Sequence, residues 1–118
     1  MKKTMFEKYG GFAVWRKVVS AFYDNILDDA VLQKHFVGTN MERLIDHQTK
    51  FVIYIAGGPA SVSDEHLARA HKNLGITKEE LDIMSGLFRD NLEDHDLDKD
   101  DVDYLVNEVL KRAHLVVF

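Results

Sequence analysis

Apolar side chains along this 118-residue chain recur at steps of three and four, and no stretch sustains the alternation of a half-buried strand. Phe12, Val14, Trp15, Val18, Val19, Phe22, Tyr23 and Ile26 follow that step. They predict an amphipathic helix entered after Gly10-Gly11, with these side chains inward. Residues 30–36 predict a short helical turn. Thr39 with Glu42 three residues on is a capping-box pattern. It opens a helix to about Ala56, where Gly57-Gly58-Pro59 stops it. Ser63 predicts the cap of a short helix through Lys72, broken by Gly75. Thr77 and Glu80 form a second capping box, opening a helix to about Glu93. Asp98 and Asp101 open the last helix, with Val102, Leu105, Val106, Val109, Leu110 and Ala113 inward. The fold class read from this pattern is all-α. The expected organisation is one domain over residues 1–118, without internal repeat or low-complexity tract.

Composition narrows the function classes. Hydrophobic residues make up 46% and charged residues 30%, a globular balance. The net charge of −5 argues against nucleic acid or an anionic membrane as the main partner. There is no cysteine, which removes disulfides, thiolate metal sites and a cysteine nucleophile. The first residues lack the apolar stretch of a signal peptide. The longest apolar run, Phe51 to Ala56, falls far short of the roughly 20 residues that span a bilayer. A soluble, cytoplasmic protein is therefore expected. Six histidines, seven Phe, four Tyr and one Trp remain to be explained.

Several chemistries fail on spacing. The acidic run Asp94 to Asp101 places oxygen ligands at intervals that suit calcium. Lys99 stands where a calcium loop needs glycine, and Leu105 where it needs a bidentate glutamate. A solvated interhelix loop with helix-capping carboxylates explains the run instead. No histidine has Glu or Asp three residues before it, as a di-iron bundle requires. There is no His-Glu-x-x-His helix and no glycine-rich phosphate loop. Leu44, His47, Gln48 and Phe51 share one helix face, continued by Val52 and Ile55. That face places an imidazole and an amide among apolar neighbours, where each costs about 1–3 kcal/mol unless partnered. His71 lies likewise with Leu67, Ala68 and Leu74, whereas His66 points to solvent. Each imidazole alone reads as a satisfied core histidine. Two of them on different helices also suit a planar apolar cofactor with a central metal, since a haem iron takes a proximal histidine. Tyr23 is placed to offer a hydroxyl to the same pocket.

Six linked motifs carry a resemblance over nearly the whole chain. They are Phe6-Glu7-Lys8-Tyr9-Gly10-Gly11, Val18-Val19-Ser20-Ala21-Phe22-Tyr23, Phe36 followed by Thr39-Asn40-Met41, His47-Gln48-Thr49-Lys50-Phe51, Gly57-Gly58-Pro59, and Ala70-His71-Lys72-Asn73-Leu74-Gly75-Ile76. In this order the chain resembles the group I truncated haemoglobins, the two-over-two globins, with features of their cyanobacterial bis-histidine members. The resemblance implies a two-over-two globin fold enclosing one haem b. It matches His71 to the proximal iron ligand and Phe36 to the phenylalanine that stacks on the porphyrin. Tyr23 matches the tyrosine that hydrogen-bonds a bound ligand, and Gln48 the distal glutamine of the same network. Leu44 occupies the position where vertebrate globins carry their distal histidine. Phe51, Val52, Ile76, Leu81, Met84 and Phe88 are implied as pocket lining. Thr39, Arg43 and Lys72 are implied as contacts to the haem propionates. Two histidines go further. His47 stands where some relatives supply a sixth iron ligand, and His114 where the same relatives bond covalently to a haem vinyl. Ala30 departs from the Asp-Asp-Pro common in the family, which touches only the local turn.

The function so implied is reversible binding of dioxygen, carbon monoxide and nitric oxide, with dioxygenation of nitric oxide as the candidate reaction. Such turnover needs an external electron-donating reductase, because the chain carries no flavin or nicotinamide motif. The alternative is a bis-histidine haem module for electron transfer or redox sensing. A monomer is expected, with no nucleic acid or membrane partner.

Overall fold

The computed structural model describes residues 4–59 and 77–111. Its helices are α1 (Met5–Lys8), α2 (Phe12–Asp28), α3 (Met41–Ile55), α4 (Lys78–Asp94) and α5 (Lys99–Lys111). A 3-10 turn at Gln33–Phe36 stands between α2 and α3. No strand occurs among the described residues. The helix predicted from Ser63 to Lys72 lies outside them.

The α1 turn is an element that hydrophobic spacing does not predict. Thr4 caps it by accepting a hydrogen bond from the Glu7 amide at 3.2 Å. Two glycines then turn the chain into α2. At Gly10 φ is +114°, and an added Cβ would lie 2.7 Å from Val14 Cγ2. A side chain there would meet both a backbone penalty and a clash. From α2, Trp15, Val18, Val19, Tyr23 and Ile26 enter the core as the periodicity predicts. Phe12 is the exception at 53% exposed. It is the first residue of the helix, one turn beyond the packed stripe.

The start of α3 corrects the capping expectation. Asn40, not Thr39, is the cap, and its side chain accepts from the Arg43 amide at 3.1 Å. Thr39 instead donates its own amide to Phe36 O at 3.1 Å, which closes the 3-10 turn. At the other end, Gly58 lies so close to α1 that a Cβ would stand 2.5 Å from Ile53 Cγ2 and 2.7 Å from the Phe6 ring. The capping box of α4 forms as predicted. Thr77 accepts from the Glu80 amide at 3.1 Å, and Glu80 Oε1 accepts from the Thr77 amide at 3.2 Å. In α5, Val102, Leu105 and Val106 are buried, whereas Leu110 sits to the side of that stripe and is exposed. Ala113 lies outside the described residues.

One buried cluster joins α2, the 3-10 turn, α3, α4 and α5. Asn91, buried on α4, donates Nδ2–H to Val18 O at 2.8 Å and ties α4 to α2. The acidic turn between α4 and α5 is not simply solvated. Lys8 Nζ reaches Asp98 Oδ2 at 2.7 Å and Asp101 Oδ2 at 2.9 Å. The Tyr9 hydroxyl donates to Asp101 at 2.5 Å and accepts from the Asp98 amide at 2.9 Å. Tyr9 in turn meets Trp15 edge-on, with centroids 5.9 Å apart. Among the described residues no helix is long and apolar enough to cross a membrane.

Candidate functional site

Four rings carried by three elements form a connected aromatic run. Tyr23 on α2 meets Phe36 of the 3-10 turn with centroids 6.0 Å apart and planes at 75°. Phe22 meets Tyr23 at 5.1 Å and Phe88 of α4 at 5.3 Å, both edge-on. Edge-to-face contacts of this kind place the positive edge of one ring on the negative face of the next. Adjacent α2 residues point in different directions, so Phe22 is half-buried while Tyr23 is 4% exposed. Burial pushes the Tyr23 phenol above its ordinary value. The hydroxyl therefore keeps its proton at neutral pH and remains a donor.

The second wall is α3. Leu44, Gln48, Phe51 and Val52 are all buried, and Leu44, Phe51 and Val52 belong to the same cluster as Tyr23, Phe36 and Phe88. The Gln48 amide at 8% exposed is the polar member of this face. His47 beside it is half-buried. Thr49 is fully buried but turns its hydroxyl back to Ile45 O at 2.7 Å, which satisfies it within the helix. Thr39 is half-buried and Arg43 exposed, both at the N-terminus of α3, where the helix dipole favours anions. From α4, Leu81 and Met84 are half-buried and Phe88 buried, and Met84 packs on the cluster. His71, Lys72, Ile76 and His114 lie outside the described residues. The structure thus brings Tyr23, Phe36, Leu44, Phe51, Val52, Met84 and Phe88 to one apolar region.

A hydrogen bond between His35 and Glu80 at the edge of this region escapes sequence reasoning. His35 Nε2 stands 2.5 Å from Glu80 Oε2, and Lys34 Nζ lies 3.6 Å from the same oxygen. Both members of the His35–Glu80 pair are largely buried, at 11% and 8% side-chain exposure. The His35 hydrogen bond chiefly, aided by those from Thr77, overrides burial and holds the Glu80 carboxyl at about 2. The capping box explains only one carboxylate oxygen of Glu80.

The donor set fits haem. A flat apolar group needs a wall of aromatic and branched side chains, with few polar atoms facing it. Here that wall carries a protonated phenol and a carboxamide, both neutral groups able to donate to a small ligand. Among the described residues no three His, Cys, Asp or Glu side chains could together hold a metal ion. A haem iron asks less, taking one or two protein ligands because the porphyrin supplies the rest.

Comparison with known proteins points the same way. Over residues 4–118 the sequence matches the family described as bacterial-like globin. It is 32% identical over 89 residues to a group 1 truncated haemoglobin of Mycolicibacterium paratuberculosis, covering 75% of this chain and 65% of that protein. The chain thus spans just under two-thirds of that relative. The structure superposes on a 2/2 haemoglobin of a Synechococcus species, in a cyanomet state with covalently attached haem. The TM-score is 0.82 at 26% identity, covering 97% of this chain and 98% of the other. A ferric truncated haemoglobin variant from Tetrahymena pyriformis gives a TM-score of 0.84 at 21% identity, covering 98% of each chain. The all-helical fold is the two-over-two globin fold, and the chain belongs to the bacterial-like globin family.

Proposed function

We propose that this globin holds one haem b, binds dioxygen and other diatomic ligands reversibly, and dioxygenates nitric oxide. The observation that carries the reading is the buried Tyr23 phenol, held against Phe36 in the same apolar cluster as the α3 wall that presents Gln48. Haem, when bound, supplies an iron that takes diatomic ligands and, with dioxygen and nitric oxide, yields nitrate and ferric iron, which an external reductase must reduce. The protein's part is to hold the ligand. Tyr23 donates its hydroxyl proton in a hydrogen bond, and the Gln48 amide adds a second donor. Hydrogen bonds to a charged acceptor are worth about 1.5–3 kcal/mol each. Leu44, Phe51, Val52 and Phe88 exclude water. Thr39 and Arg43, at the positive end of α3, suit the propionates, and His71 is the proximal ligand. Lys72, Ile76, Leu81 and Met84 complete the contacts.

The half-buried place of His47, beside Gln48 and on the face of Leu44 and Phe51, favours a second reading. His47 there serves as a sixth iron ligand that diatomic ligands must displace, which lowers apparent affinity by the fraction of closed sites. A bis-histidine haem of this kind also suits electron transfer or redox sensing. His114 is the candidate for a covalent haem bond, the state of the haem in the Synechococcus relative.

The test is spectroscopic. Adding hemin to the purified chain produces a Soret band, and the reduced protein binds carbon monoxide and consumes nitric oxide in air. A chain that stays colourless overturns the proposal. Rapid autoxidation without nitric oxide consumption selects the redox reading. The ferric spectrum shifts from low spin to high spin in His47→Ala if His47 ligates, and acid-acetone extracts all haem unless His114 is bonded to it.

A further inference from the structure

The 3-10 turn that presents Phe36 is only four residues long. Its ends are tied by Gln33 N–H to Asp29 O at 3.0 Å, His35 N–H to Leu32 O at 3.1 Å and Thr39 N–H to Phe36 O at 3.1 Å. The hydrogen-bond geometry of a 3-10 turn is poorer than that of an α-helix, so contacts from outside add to its definition. Beyond the burial of Phe36, one such contact comes from α4, far away in sequence. Glu80 is clamped by its capping box through Oε1 and offers Oε2 to His35, the residue just before Phe36. Phe36 in turn bears on Tyr23. We infer that His35 and Glu80 are positioning residues, whose hydrogen bond fixes the turn so that Phe36 holds the Tyr23 ring in its donating position. The inference rests on the haem reading above.

The bond acts through geometry. Nε2–H donates to the carboxylate whether or not the ring carries a second proton, so a neutral donor of similar reach serves in its place. A carboxylate acceptor makes the bond strong for its size. Coupling between directly contacting residues shifts equilibria by about two- to hundredfold, and an effect passed on through Phe36 to Tyr23 belongs at the lower end.

The experiment compares His35→Ala, Glu80→Ala, the double variant, His35→Gln and Glu80→Gln. On the haem-loaded protein, dioxygen dissociation is timed by flow mixing. On the haem-free chain, amide exchange is followed over residues 33–39. Each alanine variant is expected to release dioxygen about two- to tenfold faster and to exchange the turn amides faster. The double variant is expected to be no worse than either single one, and His35→Gln, which keeps a donor, to return close to wild type. Glu80→Gln, which keeps one acceptor oxygen for the capping box and turns an NH2 on His35, is expected to be impaired. Additive losses, His35→Gln as impaired as the alanine variants, or wild-type release with wild-type exchange each overturn the inference. If the alanine variants do not fold, Glu80→Asp carries the test, since its shorter carboxylate keeps the charge but loses reach. It must then show the same loss. A wild-type chain that takes up no haem defeats the haem reading alone, and turn exchange still decides the role of the pair.

Discussion

Tyr23 carries the ligand hydrogen bond proposed above, and Glu80 carries an acid response of the fold. Removing the Tyr23 hydroxyl takes away a donor while the ring keeps its contacts with Phe22 and Phe36. Tyr23→Phe should therefore fold normally and release dioxygen about tenfold faster or more, measured by flow mixing of the haem-loaded protein. An unchanged rate would mean that Gln48 alone holds the ligand. Glu80 controls a pH effect. Its carboxyl titrates at about 2 when folded against 4.5 ordinarily, chiefly through His35. Stability from this group is complete above about pH 4.5 and is lost as pH falls towards 2. In Glu80→Gln, urea midpoints should fall less steeply across that window than in wild type. Parallel slopes would refute the assignment. Asp101 adds to the same acid response, because bonds from Lys8 and Tyr9 outweigh burial and hold its carboxyl below the usual range.

Among the elements, α3 and α4 show where local rules suffice and where they fail. Thr77 and Glu80 read correctly because both partners of the box lie within one turn. Of Thr39 and Asn40, asparagine is the stronger cap by type, and Asn40 takes the cap while the Thr39 amide closes the 3-10 turn on Phe36 O. The His35–Glu80 bond and the Tyr23–Phe36 contact link separate elements, so nothing in either local sequence announces them. Family motifs reached Tyr23, Phe36 and Gln48 but passed over His35. Two glycines give opposite tests of the helical packing. Apart from its chain neighbours and the backbone of its own helix, no described atom lies within 4 Å of where a Cβ would stand on Gly86 in α4. Gly86→Ala should stabilise the haem-free chain by about 0.5–1 kcal/mol in urea unfolding. Gly58→Ala forces a methyl into Ile53 and Phe6 and should cost about 1–3 kcal/mol. A stable Gly58→Ala protein would show that α1 can shift away.

For the whole molecule, the network of Lys8, Tyr9, Asp98 and Asp101 joins the two ends of the described chain, across separations of 89 to 93 residues. It adds a link from α1 to the turn between α4 and α5, beside the packing of Met5, Phe6 and Tyr9 on the buried cluster. The exposed Lys8–Asp98 pair contributes little, whereas Asp101 is 21% exposed and also accepts from the Tyr9 hydroxyl, so the stability of the network rests mainly there. Closing so long a loop is entropically unfavourable, and nothing rewards it until the intervening helices have packed. The clasp should therefore close after the folding barrier has been crossed, and its removal should show almost entirely in the unfolding limb of a chevron. Lys8→Met and Asp101→Asn should unfold faster while folding at nearly the wild-type rate, and slower folding in either would place the clasp in the nucleus. The bonds between Lys8 and the acidic turn act as a latch on the finished globin: they set how long the folded state lasts, not how quickly it is reached.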